Sequence, residues 1–427
     1  MRLRRRAILG TAAAALAAIG IGVGVYIPSG GGGSGASYYI ATSGSDSNPG
    51  TSVSPFLTMD KCYTVASVGD TCYMKTGTFG TQTISSSTKT SGACDGYTIG
   101  ASLTGCVTFQ PDTGATVSIS GSLEVRVSYI QVKDLTVGAS HIGDCGSASN
   151  ITNVVASNLS AASGNVVNAN HVGVLGGSYG PLHGNQLIFV SNGIYDNCSG
   201  AGAGSSADHI RFDGVYFHDA IQDSVGQHLE CLHTEPADYV TVRYSKFTNC
   251  AQHDITFGGG GVGRGFLVEN NLLASVCSGQ SSPPCEGNNP IDSSCNGGDH
   301  SGWIVRFNSM VGAMQNSLNT GCTYTDGQFY GNVMDASWWS SFQCSNFQNY
   351  GFTQSYNVNV SGAPTCGTGS VTGTVMTSPG NPNYNFNPLA GNPGINLVPN
   401  SLAHPSTDYN GYSRGSGSTD AGAIVYH

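Results

Sequence analysis

Charge is what this chain has least of. Lys, Arg, Asp and Glu make up only 9% of it, against roughly a quarter in ordinary globular proteins. Basic residues number 15 against 25 acidic ones, and four of the 15 (Arg2, Arg4, Arg5 and Arg6) fall within the first six positions. Beyond residue 36 the balance is 11 against 25, a net charge of −14. Such a surface argues against a nucleic-acid partner, which needs clustered cations. It also repels polyanionic glycans unless a cation such as Ca²⁺ bridges the two. Cys-x-x-Cys is missing as well, which removes the commonest zinc-ligand spacing. No stretch of the middle of the chain reads as a long amphipathic helix.

What replaces Lys and Glu is Gly, Ser, Thr and Asn, with 62 glycines alone, the composition of a sheet-rich protein with many tight turns. The start, MRLRRRAILGTAAAALAAIGIGVGVYI, joins four arginines to about twenty apolar residues, and Arg5, Arg6 and Leu9 fit a loose twin-arginine export pattern. It reads as a cleaved signal peptide, with a small-residue site near Ser34 and Ala36, or as an uncleaved anchor tethering the protein to a membrane. Residues 29 to 36 (SGGGGSGA) form a flexible tether. The expected organisation is therefore residues 1–36 as leader and tether, and residues 37–427 as a single domain at the cell surface or secreted. All 14 cysteines lie beyond the leader, an even number that suggests disulfides in an exported chain. The nearest local pairs are Cys62 with Cys72, Cys94 with Cys106, and two among Cys277, Cys285 and Cys295.

A short pattern recurs through the chain. Asn158, Gly177, Gly193, Val215, Ser245, Asn271, Asn308, Asn332 and Asn357 occupy one place in it. From Gly177 on, the residue three earlier is mostly apolar or aromatic (Val174, Val190, Phe212, Val242, Val268, Val305, Phe329), and so is the residue two later (Tyr179, Tyr195, Phe217, Phe247, Leu273, Met310, Met334). The residue five earlier repeats this with Val172, Ile188, Ile210, Val240, Phe266 and Trp303. Strands of period two recurring every few tens of residues mark a β-solenoid. The spacings from Gly177 are 16, 22, 30, 26, 37, 24 and 25 residues. A solenoid absorbs such unevenness by letting surplus residues bulge as loops, so the long steps are the places to look for function.

Both ends agree with this. Residues 38–80 give an alternating strand, a turn rich in Gly, Ser, Asp and Pro, a short helical pattern from about Thr58 to Ala66, and a second strand. A helix there would cover the apolar interior and strand edges of the first coil. The block closely resembles the N-terminal start of secreted right-handed parallel β-helix proteins, the pectate-lyase-like superfamily. The far end, DYNGYSRGSGSTDAGAIVYH, resembles their closing segment through Asp408, Gly411, Arg414, Asp420, Gly422 and Ala423, with Val425 and Tyr426 where an acidic residue is usual. The resemblance implies an all-β right-handed parallel β-helix with a short N-terminal cap helix. That fold hosts lyases, hydrolases, epimerases and non-catalytic surface proteins, so it does not fix the reaction.

Two groups of residues could carry chemistry. Two places before the turn column stand Asp213, Arg243, Glu269 and Arg306, alternating in sign, one per coil. With strands about 4.8 Å apart they form an outward charge ladder; Arg243 is alternatively a clamp for a sugar carboxylate or a lyase base. The long step after Val215 holds His218, Asp219, Asp223, His228, Glu230, His233, Glu235 and Asp238, dense in ionisable groups for so uncharged a chain. Aligning Gln227-His228 with Gln252-His253 stacks the two histidines and gathers His228, Glu230, His253 and Asp254, with Asp223, as candidate catalytic residues. Glycoside hydrolysis needs two carboxyl groups flanking the scissile bond. His233, Arg243, Trp338 and Trp339 are candidate substrate contacts, the tryptophans as flat faces for sugar rings. Cys231 reads as a packed or disulfide cysteine, exported thiols tending to be oxidised. The second long step, after Asn271, carries Asp292, Asp299 and His300, with Asp292 and Asp299 as oxygen donors for Ca²⁺ or as further carboxylates.

Three functions fit these features. One is an exported carbohydrate-active enzyme cleaving a polysaccharide along the β-helix groove, either a glycoside hydrolase or a Ca²⁺-assisted lyase. The carboxylate-rich patch and the few cations available to neutralise a uronate favour hydrolysis. Another is a non-catalytic surface or adhesion protein presenting a glycan-binding face. A phage-type tail spike is disfavoured because a virion protein needs no export leader.

Overall fold

The computed structural model describes residues 35–427 except 87, 144–150, 184–187, 191–206, 222–229, 235–236, 258–262, 275–288, 294–298, 312–322, 336–350, 360–366 and 380–382. The leader expected over residues 1–36 lies almost wholly outside these, and no helix among the described residues is long and apolar enough to cross a membrane.

Parallel ladders build the molecule. Successive coils place Asp208–Asp213 on Asp238–Arg243, then Leu267–Glu269, Ile304–Arg306, Gly327–Tyr330 and Phe352–Ser355. A second run in the same sheet stacks Tyr216–Ile221, Lys246–Cys250, Leu272–Ala274, Ser309–Val311, Val333–Asp335 and Val358–Asn359. A separate four-stranded sheet stacks Ile188–Val190, Leu232–Thr234, His253–Phe257 and Asn289–Ser293. The chain is therefore a parallel β-helix whose middle coils contribute three strands each. Its interior is the alternate apolar set: Phe212, Val242, Val268, Val305 and Phe329 form one stack and Phe217, Phe247, Leu273, Met310 and Met334 the next, all buried. The rings of Phe217 and Phe247 stack with centroids 4.7 Å apart.

One corner of each coil explains the turn column. Asn271, Asn308, Asn332 and Asn357 are fully or almost fully buried. Each side-chain oxygen accepts the backbone N–H of the same position one coil earlier, at 2.9–3.0 Å, beginning with Ser245 N–H on Asn271. Each side-chain amide donates to a carbonyl of the preceding coil, Val242, Val268, Val305 and Phe329 in turn, at 2.9–3.0 Å. Asparagine suits this place because its amide accepts from and donates to the neighbouring coil at once, whereas Ser245 in the same column accepts Val215 N–H but donates its hydroxyl to Arg243 carbonyl. The residue just before it adopts the left-handed conformation: Gly214, Tyr244, Asn270, Phe307, Gly331 and Tyr356 all have positive φ.

Two members of the expected column belong elsewhere. Tyr179 pairs directly with Phe217, so the steps of 16 and 22 residues are one coil of 38 (217 − 179). Ile188–Val190 instead pairs with Leu232–Thr234 in the separate sheet, which removes Gly193, Val190 and Ile188 from the column. Asn158 is offset by one, since Gly177 faces Leu159, and its positive φ puts it in the left-handed column with Gly176. Gly193 imitates a member of the column because an apolar pair flanking a small turn residue recurs at more than one corner of a coil.

Helix Met59–Val65 caps the first coil, as expected over Thr58 to Ala66. Thr58 is its N-cap, accepting from Lys61 N–H, and Met59, Cys62 and Tyr63 are buried. Disulfide Cys62–Cys72 ties the helix to the first ladder, and Cys94–Cys106 closes a loop nearby. Cys277, Cys285 and Cys295 lie outside the described residues.

The closing segment returns along the outside of the coils. Asp408 accepts Tyr412 N–H and Val425 N–H. Arg414 donates to the carbonyls of Asp420 and Gly422 and to the Asn270 side chain of the left-handed column, and lies over the Phe307 ring. Ala423 N–H reaches the Ser309 hydroxyl, while Val398, Tyr409, Ala421 and Ala423 pack on Leu272, Val333 and Val358. Gly422 has φ +90° and sits so close that a Cβ would lie 2.8 Å from Val333, so only glycine fits. The spaced motif is thus a clasp that covers one flank of the solenoid.

Candidate functional site

The charge ladder is built in the expected order: Asp213 faces Arg243, Arg243 faces Glu269, and Glu269 faces Arg306. Arg243 lies 3.7 Å from Asp213 and 3.4 Å from Glu269, and Arg306 donates to Glu269 through two nitrogens at 2.9 and 2.6 Å. Glu269 is buried and the closing segment covers the ladder, Arg306 donating to Ala403 carbonyl at 3.0 Å. Burial pushes the Asp213 carboxyl above its ordinary value, while Arg243 and Arg211 oppose the rise. With carboxylates on both sides and its guanidinium over the Tyr244 ring at 4.5 Å, Arg243 is committed to holding register.

The separate four-stranded sheet gathers the other candidates. Leu232, Ile255 and Ile291 stack into the core, so by alternation His233, Thr256 and Asp292, stacked beside them, face the other side. The register through Leu232 and Ile255 is an offset of 23 (255 − 232), which sets Glu230 level with His253. The offset of 25 that would bring His228 level with His253 is not the one adopted; His228 itself lies outside the described residues. Glu230 is buried, its Oε2 3.7 Å from His233 Nδ1. Cys231 N–H donates to His253 carbonyl at 3.1 Å. The Cys231–Cys250 disulfide fixes this crossing, which answers the question of Cys231: it is bonded. Asp254, beside His253, is fully buried.

Asp292 completes the cluster from the next coil. Burial pushes its carboxyl above the ordinary carboxylate range; the nearby His253 opposes the rise, Glu230 adds to it, and His233 opposes it. Five of the residues chosen from the sequence, Glu230, His233, His253, Asp254 and Asp292, therefore come from three successive coils of one sheet. A carboxyl whose proton is held more tightly by burial, near two imidazoles and a second carboxylate, can donate it, and its neighbours can accept one. Thr256, between His233 and Asp292, is the member the sequence did not single out; only the strand register identifies it.

Asp223, Glu235, Trp338 and Trp339 lie outside the described residues. Asp299 begins the strand Asp299–Ser301, which pairs with Thr323–Thr325. His300 is buried among Trp303 and Tyr324, its Nδ1 accepting Gly263 N–H at 3.0 Å. His218 and Asp219 bond each other at 2.8 Å on the other sheet. Burial alone would raise the Asp219 carboxyl, but the Asn249 amide and His218 hold it below its usual value. Among the described residues no group of three or more His, Cys, Asp or Glu side chains is arranged to hold a metal ion.

No family model matches the sequence, and no curated protein matches it. Solved structures do show a likeness. A structure titled as the complex of XylC with xylose matches with a TM-score of 0.48 at 11% identity, covering 92% of this chain and 98% of that one. Pectate lyase Pel9A matches at 0.39 and 13%, covering 93% and 98%. A rhamnogalacturonan lyase matches at 0.33 and 14%, covering 92% and 97%. At these scores the likeness carries no argument about activity. The parallel β-helix architecture of this chain rests on its own ladders and its own cap helix.

Proposed function

We propose that this protein is an exported carbohydrate-active enzyme that hydrolyses glycosidic bonds at the four-stranded sheet. The observation that carries this is the convergence of Asp292, raised above the carboxylate range, with Glu230, His233 and His253 on adjacent coils. In this reading Asp292 is the general acid that protonates the leaving oxygen. A carboxylate from Glu230 or Asp254 assists the attacking water or stabilises the oxocarbenium-like charge. His233 and His253 set the protonation of the carboxyl groups and offer hydrogen bonds to sugar hydroxyls. A solenoid suits a long substrate, because each added coil extends the same face by about 4.8 Å, so that consecutive sugar units meet consecutive coils. Disulfides Cys62–Cys72, Cys94–Cys106 and Cys231–Cys250 suit an oxidising compartment, in keeping with the leader sequence.

The test is incubation of the purified protein with a panel of polysaccharides. New reducing ends without ultraviolet-absorbing unsaturated ends are expected. Unsaturated ends would replace hydrolysis by elimination, and binding without any product would leave a non-catalytic glycan-binding protein.

A further inference from the structure

We infer that the glycan taken by this site carries no acidic groups, an inference that rests on the site assignment just given. The ground is where the cations are. All 11 basic residues beyond position 36 lie within the described residues. In the coils that carry the four-stranded sheet there are five. Arg211 and Arg243 lie within 3.9 and 3.7 Å of Asp213, Arg264 pairs with Asp238, and Arg306 pairs with Glu269. Lys246 lies over the Tyr216 ring at 5.6 Å. Each is on or beside the first sheet, and the four arginines are already engaged with carboxylates.

The chain around the site supplies none. No Lys or Arg occurs between Lys133 and Arg211, between Arg211 and Arg243, between Lys246 and Arg264, or between Arg264 and Arg306. Those intervals contain every strand of the four-stranded sheet and every segment joined to its ends. The charges acting on Asp292 are accordingly those of His253, Glu230 and His233. A uronate or sulfate group brought to about 4 Å from a carboxylate with no Lys or Arg beside it weakens association by up to about a thousandfold at an effective dielectric near 20. Elimination beside a uronate also needs a cation to hold the enolate-like charge, and this face has no Lys or Arg to provide one. Carboxylates and imidazoles do serve a neutral sugar well, since they accept from its hydroxyls.

The experiment measures cleavage and binding on two matched sets: neutral glycans (xylan, mixed-linkage glucan, galactan) and acidic ones (polygalacturonate, alginate), each with calcium and with EDTA. Binding is read by affinity electrophoresis with the Asp292→Asn variant, which keeps the carboxylates of Glu230 and Asp254. Cleavage or retardation confined to neutral glycans, changing less than about twofold between low and high salt, is expected. Cleavage or binding of an acidic glycan, with or without calcium, overturns the inference while leaving a carbohydrate-active site in place. Silence on both sets overturns the site assignment itself and this inference with it.

Discussion

A buried asparagine and a buried carboxylate stand for the two kinds of residue this fold depends on. Asn308 accepts from Asn271 N–H and donates to Val268 carbonyl, so its loss leaves groups on the neighbouring coil without partners in a place water does not reach. Asn308→Ala should cost about 1–3 kcal/mol, read as a lowered midpoint in urea with an unchanged slope. At the site, Asp292 is expected to set the alkaline limb of the pH–activity profile, because activity requires its protonated form. The negative charge of Glu230 helps keep that proton. Residual activity of Glu230→Gln should therefore fall off at lower pH than wild type, and that of His253→Gln, which removes an opposing charge, at higher pH. Profiles that do not move in these opposite directions would remove Asp292 from the role of acid. The Asn column was legible because one residue type recurs at one corner. The gathering of Asp292 with Glu230 was only half legible, because strand register, which decides it, depends on loops of unequal length.

Single elements matter here chiefly through what they cross. The ladder Asp213, Arg243, Glu269 and Arg306 ties four coils on the flank away from the candidate site, and the closing segment lies over it. Arg243→Met leaves Asp213 and Glu269 facing each other's charge without the cation between them. It should cost about 3–5 kcal/mol of stability while kcat per folded molecule changes little. Loss of turnover with an unchanged melting temperature would instead return Arg243 to the substrate. The clasp is a second such element. Arg414→Met removes donors to Asp420, Gly422 and Asn270 together, and hydrogen exchange should then rise in residues 398–427 and along Leu272–Ala274 before it rises in the cap helix. The sequence marked both ladder and clasp by their spacing. It could not show that one covers the other, since contacts between positions 306 and 403 leave no periodic trace.

The whole molecule is a cation-poor surface wound on an apolar core and stiffened by paired charges on one flank. Its strands, cap helix and two disulfides were readable from alternation, turn chemistry and cysteine spacing, and its closing segment from the resemblance to parallel β-helix proteins. The number of residues per coil was not, because the 38-residue coil contains a strand of the separate sheet that imitates a coil of its own. The account stands or falls on the claim that the four-stranded sheet carries the chemistry. The most direct measurement is the initial rate of reducing-end release from a cleaved neutral glycan by wild type and by the Glu230→Gln, Asp254→Asn double variant, with Asp292→Asn alongside. Thermal melting verifies that each is folded. A rate lower by about 10²–10⁴-fold or more in folded variants is the expected result; folded variants that retain wild-type rates would contradict it.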